Sequence, residues 1–378
     1  MKDSLPDRSH VVLHAVSSGG LYGIERMLLN LLPELERQGC PVELLCLDGP
    51  NTELGEAAGR LGIATVSVDC AQRVTPRGWL DLSRTIATHR PRMVHVHGYK
   101  ATILAGAASL ARRVPTVATY HGVAAKAGET SRSLSWYLAL ETPILRRFRR
   151  VAAVSEQIAN ELMERRVARD RIRVIFNGIA TPATGATGRL RSDRAKPFSP
   201  CILSISRLAP EKNIHLTIDA VAALHTEFPD IGLIVAGDGS LLDELRVRAS
   251  SLGLQDSIRF LGFVQDVRPL YESCDAFVLA SQTEGMPIAV LEAMALGLPI
   301  VASRVGGIPL MLDDESDAIL VEPNDYRSLY DGLRRLVADE GLRTNLAQAA
   351  RKRFERDYTA EQMAQSYIRL YDEVAPRS

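Results

Sequence analysis

Short apolar runs of four to six residues alternate along this chain with longer segments in which apolar positions recur every three or four residues. The first pattern predicts strands and the second predicts helices. The runs 11–16, 42–47, 64–68, 93–96, 116–119, 151–154 and 172–175 predict seven strands, with helical segments between most of them, beginning with 24–38. Because these runs are predominantly apolar, they fit parallel strands covered on both faces. The pattern stops after Asn177-Gly178-Ile179. Residues 181–200, rich in Thr, Gly, Arg and Pro and without apolar periodicity, predict a linker. A second series follows, with strands at 201–206, 232–236, 258–261, 276–279, 300–302 and 318–321 and closing helices at 325–337, 341–354 and 360–374.

The expected fold class is therefore α/β, with two Rossmann-like, doubly wound parallel-sheet domains: residues 1–180, then, after the linker, 201–358. Ligands are expected at the carboxyl ends of the strands, in a cleft between the domains. The chain of 378 residues is long enough for two such cores. Lys and Arg number 45 and so do Asp and Glu, so no global charge argues for nucleic acid, and any basic site must be local. The five cysteines have no C-x-x-C or metal-ligand spacing and read as small core residues of a reduced, cytoplasmic protein. The polar first ten residues lack the apolar region of a signal peptide, and no apolar run reaches the length of a membrane span.

The stretch richest in chemistry is Ser281-Gln282-Thr283-Glu284-Gly285-Met286-Pro287-Ile288, continued as Ala289-Val290-Leu291-Glu292-Ala293-Met294-Ala295. It joins the apolar run at 276–280 to a helix expected to start near Pro287, since proline is tolerated where a helix has no N–H to lose. Gly285 lets a ligand approach the backbone, and the first amides of the helix offer a seat for an anion such as a diphosphate. Glu284 and Glu292 frame that seat, too far apart along the chain to form an i, i+4 pair.

Two glutamates with seven residues between them, inside Glu-Gly-Met-Pro and Leu-Glu-Ala-Met-Ala, resemble the signature of the retaining GT-B glycosyltransferases of family 4, the glycosyl transferases group 1 of bacterial polysaccharide type. The resemblance extends over essentially the whole chain. It implies a nucleotide-diphosphate sugar as donor, with the base left open among UDP, GDP and ADP, and no further cofactor and no metal. It implies a saccharide or lipid-linked saccharide as acceptor, and a last helix, within 359–378, that crosses back to the N-terminal domain. By this resemblance Arg207 and Lys212 stabilise the leaving diphosphate, as fixed cations do where negative charge develops. Glu284 lies beside the transferred sugar, and the segment Gly285, Met286, Pro287 and Ile288 holds sugar hydroxyls and phosphate oxygens. Glu292 accepts from the ribose hydroxyls. Gly237 and Gly239 resemble a loop lining the nucleotide, although Gly-Asp-Gly alone signals only a turn. Phe263 and Val264 resemble the segment packed around the base, with plain core packing as the alternative.

In the first half, Gly19 and Gly20 offer amides to the diphosphate, but Ser17-Ser18-Gly19-Gly20 is not G-x-G-x-x-G. Asp48 alone is a weak sign of a dinucleotide site. Glu25 reads as a first-turn acid complementing the helix dipole. His121, followed by Gly122, stands where the resemblance implies a histidine near the donor sugar and the reacting centre. His97 reads as acceptor-site lining, together with Tyr99 and Lys126, and acceptor selectivity is expected in the loop at 124–135. His95 and His97 share one face of a strand, but no third metal ligand is evident. Arg146, Arg147, Arg149 and Arg150 end a predicted helix from about Ser133, where cations favour the dipole. With Leu145 and Phe148 interleaved, the cluster also suits anionic lipid, giving an expectation of peripheral contact with the inner membrane face. The activity expected is transfer of a hexose-type sugar with retention. The alternatives are a catalytically silent partner or glycan-binding subunit, a sugar-nucleotide epimerase, and last a dehydrogenase.

Overall fold

The computed structural model describes residues 10–18, 21, 23–70, 75–122, 132–182 and 198–376, with only the backbone for 132–135. The chain forms two compact units, one holding the described residues up to 180 together with those from Ala360 onward, the other those from Thr181 to Thr359.

The first unit is built on seven strands: β1 (Val12–Val16), β2 (Val42–Cys46), β3 (Ala64–Ser67), β4 (Met93–His97), β5 (Thr116–Tyr120), β6 (Arg150–Ala153) and β7 (Ile172–Val174). They pair in parallel in the order β3-β2-β1-β4-β5-β6-β7. Every residue of β1, β2, β4 and β5 is buried, as expected of central strands covered on both faces, whereas the edge strand β3 is largely exposed. The helix Gly23–Arg37 buries Met27, Leu28, Leu31, Leu32 and Leu35, a stripe at helical spacing. Each such side chain contributes about 1.5–3 kcal/mol by leaving water. The helix Ala360–Val374 packs against it and buries Tyr367 and Tyr371 completely. Arg92 ties that helix down through Asp372 at 2.6 Å and the Ala375 carbonyl at 2.8 Å.

The second unit has six strands: β8 (Cys201–Ile205), β9 (Gly232–Ala236), β10 (Ile258–Phe260), β11 (Ala276–Leu279), β12 (Ile300–Ser303) and β13 (Ile319–Val321). They pair in parallel in the order β10-β9-β8-β11-β12-β13. Their apolar side chains pack with those of the helices Ile214–His225, Leu242–Ser251 and Tyr326–Ala338 in one core. Asp325 caps the last of these helices, worth about 1 kcal/mol. The two parallel-sheet α/β units are the fold class read from the sequence. All five cysteines are buried and free, the sulfurs of Cys201 and Cys274 lying 3.2 Å apart.

One predicted element ends early. The helix Arg132–Leu145 stops before the arginines, and Arg150 already belongs to β6. The chain has to turn there to seat Phe148 in the core, 1% exposed. No helix among the described residues is long and apolar enough to cross a membrane.

Candidate functional site

In the second unit the predicted residues gather along one edge of the sheet, because parallel strands deliver their following loops to the same side. Arg207 and Lys212 follow β8, Gly237 and Gly239 follow β9, Phe263 and Val264 follow β10, and Glu284 follows β11. Backbone bonds fasten these loops to one another. Gly237 N–H donates to the Gly262 carbonyl at 2.7 Å, Leu208 N–H to Asp238 at 2.9 Å, Gln282 N–H to Glu211 at 2.8 Å and Gly307 N–H to Gly285 at 2.7 Å. Two of the positions tolerate only glycine. A Cβ on Gly237, at φ +134°, would lie 1.8 Å from the Ser206 carbonyl oxygen, and one on Gly306, at φ +58°, would lie 1.7 Å from the Glu284 carbonyl oxygen.

Glu284 is the hub of the edge. Lys212 Nζ donates to its Oε1 at 2.7 Å, and Ser281 Oγ donates to the same oxygen at 2.7 Å. The two charged side chains are 15% and 9% exposed. Arg207, nearly half exposed, is steered by Glu211, which is buried and accepts from it at 2.8 Å. The helix Ile288–Ala295 begins just after Glu284; Pro287 is its N-cap rather than its first residue and supplies no side-chain cap. Its opening amides therefore have no side-chain cap. Glu292 is half-buried in this helix, and Tyr271 donates its hydroxyl to Glu292 Oε2 at 3.0 Å, with the Ala289 carbonyl at 2.9 Å from the same hydroxyl. Met286 and Ile288 are buried and shape the turn. Phe263 is 49% exposed, so plain core packing is excluded for it. Gly239 N–H closes a local turn onto Asp238 Oδ1 at 2.7 Å.

Sequence reasoning missed three contributors, Tyr271, Glu211 and the Gly306-Gly307 turn, and gave Ser281 no role of its own. The glycine pair directly after β12 was a signal that could have been read. The others become visible only once the strands are placed side by side.

The first unit corrects several expectations. His97 is 1% exposed and turned inward, so it offers no surface to an acceptor. The register sets His14 beside His95 and Val16 beside His97, which puts all three histidines on one face. His14 is thus a third imidazole where none was evident, with one nitrogen from each ring within 4.8 Å of the others. The rings form a buried hydrogen-bond network, in which His97 Nδ1 has no partner among the described residues. His14 Nδ1 and His97 Nε2 are 3.1 Å apart, and His95 lies between the Tyr371 hydroxyl at 2.8 Å and Thr119 Oγ1 at 2.7 Å, with Tyr367 2.9 Å from Thr119. Burial pushes His14 down to about 3 and holds His95 and His97 well below the usual imidazole range.

His121 stands at the end of β5 on the same face as this network, its ring 6.1 Å from that of His97. Its Nε2 is buried with no hydrogen-bond partner among the described residues, and burial lowers its pKa to about 4. Tyr99 packs on Tyr137, ring centres 5.1 Å apart. Gly19, Gly20, Lys126 and the loop at 124–131 lie outside the described residues. Asp48 directs its carboxylate to the chain before the glycine loop, accepting from Ser17 Oγ at 3.1 Å and Ser18 N–H at 2.6 Å. Glu25 does stand in the first turn of its helix, where it is buried at 6% exposure. Leu145 and Phe148 are 0% and 1% exposed, so neither reaches a lipid surface. Arg149 donates to the Val374 carbonyl at 2.9 Å and Arg150 pairs with Glu373 at 2.8 Å, which binds both to the last helix.

Two parallel-sheet units, with paired cation and carboxylate at a strand-to-helix turn, define the GT-B class of fold. The chain matches the family described as glycosyl transferases group 1 over residues 191–353 and that described as glycosyltransferase family 4 over residues 22–182. It belongs to the group 1 glycosyltransferases of GT-B fold. A lipopolysaccharide core biosynthesis glycosyltransferase of Rhizobium meliloti, LpsE, is 31% identical over 53% of this chain and 57% of its own length. A UDP-Gal:alpha-D-GlcNAc-diphosphoundecaprenol alpha-1,3-galactosyltransferase of Escherichia coli is 27% identical over 85% of this chain and 86% of its own. Among solved structures, the Anabaena protein HepE in complex with UDP-glucose superposes with a TM-score of 0.83 at 20% identity, covering 96% of this chain and 99% of HepE. A glycosyltransferase from Rickettsia africae gives 0.79 at 20% identity, covering 98% and 99%.

Proposed function

We propose that the protein transfers a hexose-type sugar, with retention of anomeric configuration, from a UDP-sugar to a hydroxyl of a saccharide or lipid-linked saccharide in glycoconjugate synthesis. The observation that carries this reading is the group Lys212–Glu284–Ser281, set against an uncapped helix start with Glu292 one turn into that helix. A diphosphate has cations in Arg207 and Lys212 and open amides at Ile288 and Ala289. A ribose has the Glu292 carboxylate, held by Tyr271, and a base has the exposed Phe263 ring to rest on. The UDP assignment is supported by the E. coli relative, which uses UDP-Gal, and by the neighbour crystallised with UDP-glucose.

In the proposed reaction the bond from the sugar's anomeric carbon to the diphosphate oxygen breaks, and its electron pair stays on the diphosphate. The acceptor oxygen bonds to that carbon from the same face, and its proton passes to the departing diphosphate. No protein nucleophile is needed in this scheme; Lys212 and Arg207 hold charge as it develops on the leaving group. The test is incubation with UDP-glucose, UDP-galactose and UDP-N-acetylglucosamine in the presence of lipid-linked saccharide acceptors. UDP release that depends on acceptor, and an α-linked product from an α-linked donor by proton NMR, is the expected result. Slow UDP release with no product would favour a sugar-nucleotide epimerase, and an inverted product would refute retention.

A further inference from the structure

Lys212 closes the short turn Pro210–Lys212, and the residues on either side of it are tied to two other loops. On one side the Glu211 carbonyl accepts from Gln282 N–H at 2.8 Å, in the loop after β11. On the other, Asn213 Nδ2 donates to Asn324 Oδ1 at 2.9 Å, in the loop after β13. In the sheet order β11 and β12 lie between β8 and β13, so this second bond reaches over two strands. It joins the starts of the helices Ile214–His225 and Tyr326–Ala338, whose Ile214, Ile218, Leu329 and Leu333 share one core.

Asn213 is buried and stands at the N-cap of the helix Ile214–His225, where an asparagine side chain ordinarily accepts from one of the helix's first amides. Here it makes no such cap. Its backbone is left-handed instead, at φ +58°, and so is that of Asn324, at φ +60°. Few residues other than glycine enter that region readily, and asparagine is one of them. Both asparagines take the uncommon backbone, Asn213 forgoes its local cap, and the bond between the two side chains is what the arrangement achieves. The Asn324 end is firm, because the next residue, Asp325, caps its own helix by accepting from Arg327 N–H at 2.9 Å and Ser328 N–H at 3.1 Å.

We infer that Asn213 and Asn324 are a positioning pair for the reaction: their bond fixes the turn that carries Lys212, and so holds its ammonium group where the leaving diphosphate develops charge. This inference rests on the proposed transferase function, in which Lys212 meets the diphosphate. Lys212 reaches Glu284 at 2.7 Å from a main chain pinned at both neighbouring residues. With the bond to Asn324 cut, the turn loses its tie to the β13 loop, and the main chain of the lysine is free to shift. A misplacement of about 1 Å is enough to cost a catalytic group much of its contribution to rate. Neither asparagine touches substrate in this scheme; both act through Lys212.

Asn324→Gly removes the acceptor and leaves a residue that adopts φ +60° without strain. Full-length parent and variants are compared for acceptor-dependent UDP release, with whichever of UDP-glucose, UDP-galactose and UDP-N-acetylglucosamine the parent turns over. Expected in Asn324→Gly is a kcat about tenfold lower with the donor KM nearly unchanged, since the lysine acts on charge that develops in the transition state. Asn213→Gly, which cuts the same bond at its other end, should do the same. Asn324→Asp keeps an acceptor oxygen and should restore kcat to within about twofold of the parent. In the Lys212→Met background Asn324→Gly should lower kcat by no more than about twofold further, a coupling that a purely structural role would not produce. A full tenfold loss in that background, or a loss that Asn324→Asp fails to rescue, would overturn the inference. A parent that turns over beside Asn324→Gly and Asn213→Gly variants of equal kcat would overturn this inference alone. A parent that releases no UDP from any of the three donors would overturn the transferase reading, and this inference with it.

Discussion

Replacing Lys212 by Met removes the only cation that reaches Glu284 among the described residues. The carboxylate, 9% exposed, would then keep a single donor, Ser281 Oγ at 2.7 Å. Breaking one partner out of a fully buried ion pair costs about 3–5 kcal/mol, because the remaining charge is stranded in a poorly solvated place. Lys212 retains 15% exposure, and that access to water brings the expected loss to about 2–3 kcal/mol. In a unit of this size that lowers the melting temperature by roughly 5–10 °C. The double variant Lys212→Met/Glu284→Gln removes both charges and should return to within about 1 kcal/mol of the parent, a positive coupling measurable in a double-mutant cycle by thermal denaturation. Turnover separates the two roles: single and double variants should all lose about a hundredfold or more, because the cation for the leaving diphosphate is gone in each case that lacks Lys212. If Lys212→Met melts with the parent, or the double variant is no more stable than the single, the ion pair is not the hub described. Near-normal turnover in Lys212→Met would refute its part in the reaction.

Three further outcomes are expected. Gly306→Ala should displace the Glu284 loop, since its Cβ would lie 1.7 Å from the Glu284 carbonyl oxygen at φ +58°, and nucleotide binding by calorimetry should fall with it. Tyr271→Phe loses the donor to Glu292 at 3.0 Å and should weaken UDP binding about fivefold, the worth of one hydrogen bond, with little change in kcat. His14, His95, His97 and His121 are all held below the usual imidazole pKa by burial, His121 to about 4 and His14 to about 3. The unfolded chain takes up their protons near pH 6.5 and the native state does not, so their stability is complete above that pH and is lost as pH falls toward 4. At pH 5.5 the loss is about 1.4 kcal/mol per histidine, or about 5.6 kcal/mol for four acting independently. A melting temperature that is flat from pH 7.5 to 5.5 would contradict this.

The strands were legible because β9 and β11 are continuous apolar runs and most of the others are predominantly apolar, a pattern that buried parallel strands require. The residues proposed for the donor side could be picked out for a related reason: they follow the ends of strands, and parallel strands carry those ends to one edge. Pairings between distant segments were not legible. Lys212 and Glu284 meet because β8 and β11 are neighbours, and His14 joins His95 because β1 pairs β4 in that register. Neither adjacency is written in local spacing. The helix Arg132–Leu145 misled for another reason, having apolar residues on nearly every side. Periodicity could not tell that Leu145 and Phe148 face the core while Trp136 and Leu140 face outward. His97 was misplaced because a position at a strand end was read as surface, whereas alternation turned its side chain to the covered face.

The measurement closest to the central claim is isothermal titration of UDP into the protein and into its Glu292→Ala variant, with NAD as control. The account predicts one UDP site in the parent, affinity at least tenfold weaker in Glu292→Ala, and no heat from NAD. Equal affinity in the two proteins, or no UDP binding in the parent, would contradict it.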